Sequence, residues 1–78
     1  MTILLFAVLK EYFPSRLHLL DTSITNIQGL KNHLVLLNGN SEKVLNSCRF
    51  AVNNVFIDET FKLGPQHTVA IIPPSSGG

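Results

Sequence analysis

The sequence predicts an α+β fold in which one long helix packs across a mixed β-sheet, and three observations predict it. Runs rich in β-compatible apolar residues stand near both ends of the chain. A single stretch in the middle carries apolar residues at helical spacing, and Pro, Gly and Asn punctuate the intervals. Taken in order, Thr2-Ile-Leu-Leu-Phe-Ala-Val-Leu9 reads as a first strand. It is apolar on both faces, with Ile3, Leu5 and Ala7 on one side and Leu4, Phe6 and Val8 on the other, as in a strand covered on both sides. Pro14-Ser15 marks a turn, after which Arg16 to Asp21 pairs back as the second strand of a hairpin. Thr25-Asn26-Ile27-Gln28 has the form of a capping box, in which the Thr25 hydroxyl accepts from the Gln28 amide. Ile27, Leu30, Leu34 and Leu37 then share one helical face. Asn38-Gly39-Asn40 ends the helix, with Gly39 suited to a left-handed cap.

The second half is built from shorter pieces. Ser41 to Asn46 predicts a short second helix, capped by Asn40 or Ser41. Arg49 to Val52 is a strand, Asn53-Asn54 a hairpin turn, and Val55 to Ile57 a short strand. Asp58 to Leu63 is an irregular connection punctuated by Gly64-Pro65. Thr68-Val-Ala-Ile-Ile72 is the last strand, again apolar on both faces, and Pro73-Pro74 ends it because neither residue can donate to a sheet ladder. The closest simple match to this order is the ubiquitin-like β-grasp: a mixed five-stranded sheet with one main helix and a short second helix. Residues 1–74 are expected to form the domain, and residues 75–78 an extended reactive tail. One long helix covers only one face of the sheet. The other face must be met by the short elements or by a partner protein. Charged residues make up 14% of the chain, against roughly 25% in typical domains, which favours the partner.

The bulk properties exclude several classes. A chain of 78 residues forms one small domain with a thin core. A net charge of +1 without a basic run gives nucleic-acid binding no electrostatic basis. No apolar stretch is long enough to span a bilayer, and Met1 to Lys10 lacks the basic leader and cleavage site of a signal peptide. Cys48 is the sole cysteine, which suits a reducing compartment, and a cytoplasmic protein is expected.

No catalytic constellation emerges from the side chains. The acidic neighbours Asp58 and Glu59 read as a solvated pair in a turn. His18, His33 and His67 lie in different elements without metal-ligand spacing, so no metal is expected. Cys48 reads as a small buried apolar residue rather than a nucleophile. There is no P-loop or dinucleotide fingerprint, so no cofactor is expected on the chain itself. What remains is the end, Pro73-Pro74-Ser75-Ser76-Gly77-Gly78. Glycine lacks a Cβ, so a terminal Gly-Gly can thread a narrow channel and leave its acyl carbon open to attack.

Leu4-Leu-Phe-Ala-x-x-Lys-Glu11, Ala51-Val-Asn53 and Val69-Ala-Ile-Ile-Pro-Pro-Ser-Ser-Gly-Gly78 resemble the small, sulfur-carrying subunits of molybdopterin synthase, over essentially the whole chain. The resemblance implies a β-grasp fold and a C-terminal glycine, here Gly78, that a ubiquitin-activating-type adenylyltransferase adenylates with MgATP and that is then thiocarboxylated. It implies a tail, Pro73, Pro74, Ser75, Ser76 and Gly77, that threads into the molybdopterin synthase large subunit, the assembly being a heterotetramer with two copies of each subunit. Phe6, Phe56 and Ile72 stand where the family places apolar contacts with the partner. The chain departs from the family pattern at Lys10, where Arg is usual, at Gly64-Pro65-Gln66-His67, where an acidic turn is usual, and at Ser75, which replaces a common Val. Other readings of a Gly-Gly end are a sulfur carrier for thiamine, cysteine or tRNA thiolation and a ubiquitin-like protein modifier. The double proline and the length set the chain apart from the thiamine carrier.

Overall fold

A computed structural model of the chain describes residues 1–74. The elements follow in the order β1 (Thr2–Leu5), β2 (Arg16–His18), α1 (Ile27–Leu37), α2 (Glu42–Asn46), β3 (Arg49–Val52), β4 (Val55–Ile57) and β5 (Thr68–Ile72). Two 3-10 helices, Ala7–Glu11 and Gly39–Ser41, stand between them. The strands form one sheet in the order β2-β1-β5-β3-β4. β1 and β5 run parallel at its centre, with Thr2 opposite Thr68 and Leu5 opposite Ile71, and the other three pairings are antiparallel. This is the predicted mixed five-stranded sheet with one main and one short helix, the architecture of a ubiquitin-like β-grasp.

The core lies between the sheet and α1. Ile3 and Leu5 of β1, Phe50 and Val52 of β3 and Val69 and Ile71 of β5 alternate inward, as the period of two requires. They meet Ile27, Leu30 and Leu34 of α1, together with Leu45 of α2. Leu63 closes one side and donates its amide to Thr25 O at 2.8 Å. Fully burying a side chain of this kind stabilises by about 1.5–3 kcal/mol, so the alternating residues carry the fold.

Several local expectations are corrected. The first strand ends at Leu5 rather than Leu9, because Ala7 adopts φ 54° and turns the chain into a 3-10 helix. The turn sends Leu9 and Phe13 into the core and takes Ala7 and Val8 off the strand faces. The second strand ends at His18 rather than Asp21. Helix α1 is capped by Asn26, one residue after the predicted Thr25: the Asn26 Oδ1 accepts from Gly29 N at 2.8 Å. The Gln28 amide instead donates to Glu59 Oε1 at 3.1 Å. Leu37 is exposed, because α1 ends there and its apolar face ends at Leu34. Gly39 is not a left-handed cap. Asn38 leaves the helix in extended conformation, and its carbonyl accepts from the Ser41 amide and hydroxyl, so the chain tightens at once into the second 3-10 helix. The short helix α2 begins at Glu42, and neither Asn40 nor Ser41 caps it through a side chain; the Ser41 hydroxyl is buried and already committed to Asn38 O at 2.6 Å.

Candidate functional site

The outward face of the sheet is built by the residues that alternate with the core positions. Leu4 lies opposite Ala70, Ala70 opposite Ala51, and Ala51 opposite Phe56, a single row across four strands. The two alanines are small and stand in the middle, so the floor of the face is recessed between Leu4 and Phe56. Phe6, in extended conformation as the residue before the first 3-10 helix, and Ile72, the last residue of β5, extend the apolar lining. Together these six residues line a groove of about 520 Å³, and Thr68 and the Asn53-Asn54 turn line the remainder.

Phe6, Phe56 and Ile72 are brought together on this groove, 45%, 50% and 36% exposed, and none belongs to the core. The groove is thus an exposed apolar surface of a kind that monomeric domains seldom leave contiguous. The turn that shapes one part of it is strained in a useful way. Asn53 and Asn54 have φ of 53° and 65°, the two left-handed residues that a tight hairpin with the native twist needs, and asparagine tolerates that region better than most residues.

The tail is rooted beside the groove. β5 stays paired to β1 as far as Ile71 and to β3 as far as Ile72, and Pro73 and Pro74 follow directly. Two neighbouring strands therefore hold the departure point in place. Ser75, Ser76, Gly77 and Gly78 lie outside the described residues.

The remaining candidates stay apart. Cys48 is half-buried, packs against the core and points its thiol at Val44 O, 3.1 Å away. Burial pushes the thiol pKa up, and the positive field of Lys31 offsets only part of that, so the group is held as the thiol. Asp58 ties down Thr60, whose amide and hydroxyl both donate to its Oδ1, and these hydrogen bonds hold its carboxyl below the ordinary aspartate value. Glu59 caps the first turn of α1 through Gln28, so the two acids act on separate parts of the scaffold. His67 is a turn residue: its Nδ1 accepts from Gly64 N at 2.9 Å and its ring packs against Phe61. Its carbonyl accepts from Thr2 N, which sets the turn Gly64 to His67 at the end of the sheet opposite the tail root. Among the described residues there is no group of three or more His, Cys, Asp or Glu able to hold a metal ion, and no helix is long and apolar enough to cross a membrane.

The sequence reading missed one contact on this face. Arg49, two residues before Ala51 and so on the same side of β3, places its guanidinium 3.6 Å from the centre of the Phe56 ring. The alternation of β3 carried the signal, since Phe56 pairs with Ala51 and an arginine two residues before Ala51 is its diagonal neighbour on the same face, within reach to stack.

Comparison with known proteins agrees with this arrangement. A search of curated proteins returned no match. The model of the ThiS family matches residues 3–78, nearly the whole chain and including the Gly-Gly end. With its β-grasp sheet and its tail leaving from a central strand, the chain belongs to the ThiS family of ubiquitin-like sulfur carriers, proteins that work with partner enzymes.

Proposed function

We propose that this chain is the sulfur-carrying subunit of molybdopterin synthase, acting in the cytoplasm, with Gly78 as its reactive residue. The observation that carries the reading is the Pro73-Pro74 pair set directly behind a central strand, in a chain that matches a sulfur-carrier family through to Gly78. Two prolines stiffen the exit in an extended form and lower the entropy lost when the tail enters a channel. Phe6, Phe56 and Ile72 would dock the domain, while Ser75, Ser76 and Gly77 are slim enough to thread.

The cycle needs no side-chain catalyst from this chain. An oxygen of the Gly78 carboxylate attacks the α-phosphorus of the MgATP held by a ubiquitin-activating-type adenylyltransferase, and pyrophosphate leaves. The acyl carbon then carries AMP as its leaving group, and a sulfur nucleophile at the sulfide level displaces it to give a thiocarboxylate. In the large subunit the terminal sulfur bonds to a side-chain carbon of a cyclic pyranopterin phosphate as a carbon–oxygen bond at that carbon breaks, the oxygen leaving with the opened phosphate or as water. Water then cleaves the acyl–sulfur bond, leaving sulfur on the pterin and restoring the Gly78 carboxylate. Each carrier brings one sulfur, so two deliveries complete a dithiolene. The active assembly is a heterotetramer with two copies of each subunit.

The test is to co-express the chain with its adenylyltransferase and measure the intact mass. Replacement of one terminal oxygen by sulfur is expected. The charged chain, mixed with the large subunit and the cyclic precursor, should then yield molybdopterin. Thiocarboxylate formation without molybdopterin would assign the carrier to another pathway, thiamine synthesis first among them. An unchanged mass would overturn the sulfur-carrier chemistry for this chain.

A further inference from the structure

The proposed function leaves Arg49 unused. It is exposed, lies opposite Ile72 at the end of β5, and stacks on Phe56. It therefore stands between the groove and the root of the tail. Stacking engages the flat face of a guanidinium. Its N–H donors lie in the plane, meet no acceptor among the described residues, and are oriented for a carboxylate in the bidentate geometry that arginine favours.

The charge of the whole face points the same way. Arg16 shares the row of Leu4, its partner on β1, and Arg49 shares the row of Ile72. These two cations are the charged strand residues on the outward side of the sheet. The acidic residues lie outside the strands: Glu11 in the first 3-10 helix, Asp21 between β2 and α1, Glu42 in α2, and Asp58 and Glu59 directly after β4, where Asp58 accepts from Thr60 and Glu59 from the Gln28 amide. A second copy docked face to face would bring arginine and apolar surface, with no carboxylate from either strand face to meet Arg49. Covering an arginine with apolar surface alone strands a desolvated charge, which opposes such docking.

We infer that Arg49 is a specificity-determining contact for the partner enzyme: it receives a carboxylate from a partner surface that presents an apolar ridge to the groove and an acidic side chain beside the tail channel. This rests on the reading of the chain as a carrier that docks through this face. The partner is recognised by apolar fit together with charge. A surface that fits the groove but lacks the acid is rejected, because it leaves Arg49 buried and unmatched.

The experiment titrates the purified molybdopterin synthase large subunit with the wild-type chain and with Arg49→Glu, Arg49→Lys and Lys43→Glu, following binding by calorimetry at low and high salt. Lys43 lies on α2, away from the sheet face, and serves as the control for charge alone. Arg49→Glu should weaken binding by about 30-fold or more, and Arg49→Lys by about three- to tenfold, since it keeps the charge and loses the fork and the stack. Wild-type affinity should fall as salt rises, and Arg49→Glu should lose most of that dependence. Superimposable thermal melts would show that the exposed substitutions leave the fold intact. Binding of Arg49→Glu within about twofold of wild type would overturn the inference and leave the proposed function standing. A wild-type chain that forms the thiocarboxylate yet does not bind the large subunit would overturn the assignment to molybdopterin synthase, and the inference with it. Self-association of the wild-type chain through this face, lost in Phe56→Ala, would also overturn it.

Discussion

Single backbone angles decide where this chain bends. Ala7 holds φ 54°, a region that costs an L-residue about 1–2 kcal/mol, and its side chain is exposed, so nothing it touches repays that strain. Glycine occupies the region freely but loses more entropy on folding. Ala7→Gly is therefore expected to raise stability by up to about 1 kcal/mol in chemical denaturation. Cys48 makes the opposite point, since its surroundings suppress chemistry. With its pKa above that of an ordinary thiol, the thiolate fraction at neutral pH is below that of a free cysteine. Alkylation of Cys48 should be slower than that of a free thiol at the same pH. Cys48→Ala should leave sulfur transfer unchanged, and a large loss would return the residue to the reaction. The apolar reading of Cys48 was available from its neighbours in the sequence. The left-handed Ala7 was not, because Thr2 to Leu9 is uniformly apolar and only the need to bury Leu9 and Phe13 breaks it.

Elements are legible in this sequence where side-chain period sets them and less so where hydrogen bonds end them. β3, β4 and β5 run over the predicted residues because Asn53-Asn54 and Pro73-Pro74 punctuate them sharply. The start of α1 shifted by one residue because Thr25 and Asn26 are both competent caps, and the link from Leu63 N to Thr25 O favours the second. Asn26→Ala should cost about 1 kcal/mol, read from the urea midpoint, and Thr25→Ala much less. The connections carry the pH dependence. Asp21 and Asp58 are each held below the ordinary aspartate value, chiefly by side-chain hydrogen bonds from Ser23 and Thr60. A depressed carboxyl pKa means the folded state binds its proton less readily than the unfolded state. The stabilisation is complete above the ordinary value of about 4 and is lost as pH falls through the depressed one. Asp58→Asn should flatten the acid limb of the stability–pH curve; an unchanged limb would place the acid sensitivity elsewhere.

The whole molecule buries one face of its sheet in the core and leaves an apolar groove exposed on the other. That both faces of β1 and β5 are apolar was legible in the sequence. The alignment of Ala51 and Ala70 between Leu4 and Phe56 was not, because it depends on a register that only the assembled sheet sets. The division predicts two separable phenotypes. Leu34→Ala, at the fully buried centre of α1, should cost about 2–5 kcal/mol of stability. Phe6→Ala and Ile72→Ala should weaken partner binding more than folding. Deleting Gly78, or adding one residue after it, should abolish sulfur transfer while the thermal melt stays in place; retained transfer would remove the tail from the mechanism. The parallel pairing of β1 with β5 has a consequence of another kind. The two middle strands of the sheet come from opposite ends of the sequence, so the sheet cannot close until the last strand has been made. During synthesis β1, α1 and β3 wait with their apolar sides unpaired, and closing the long loop is the slow step. A ribosome paused before residue 68 would hold a chain without its central strand, open to chaperones and proteases, and release of β5 would convert it to the protected form in one cooperative event.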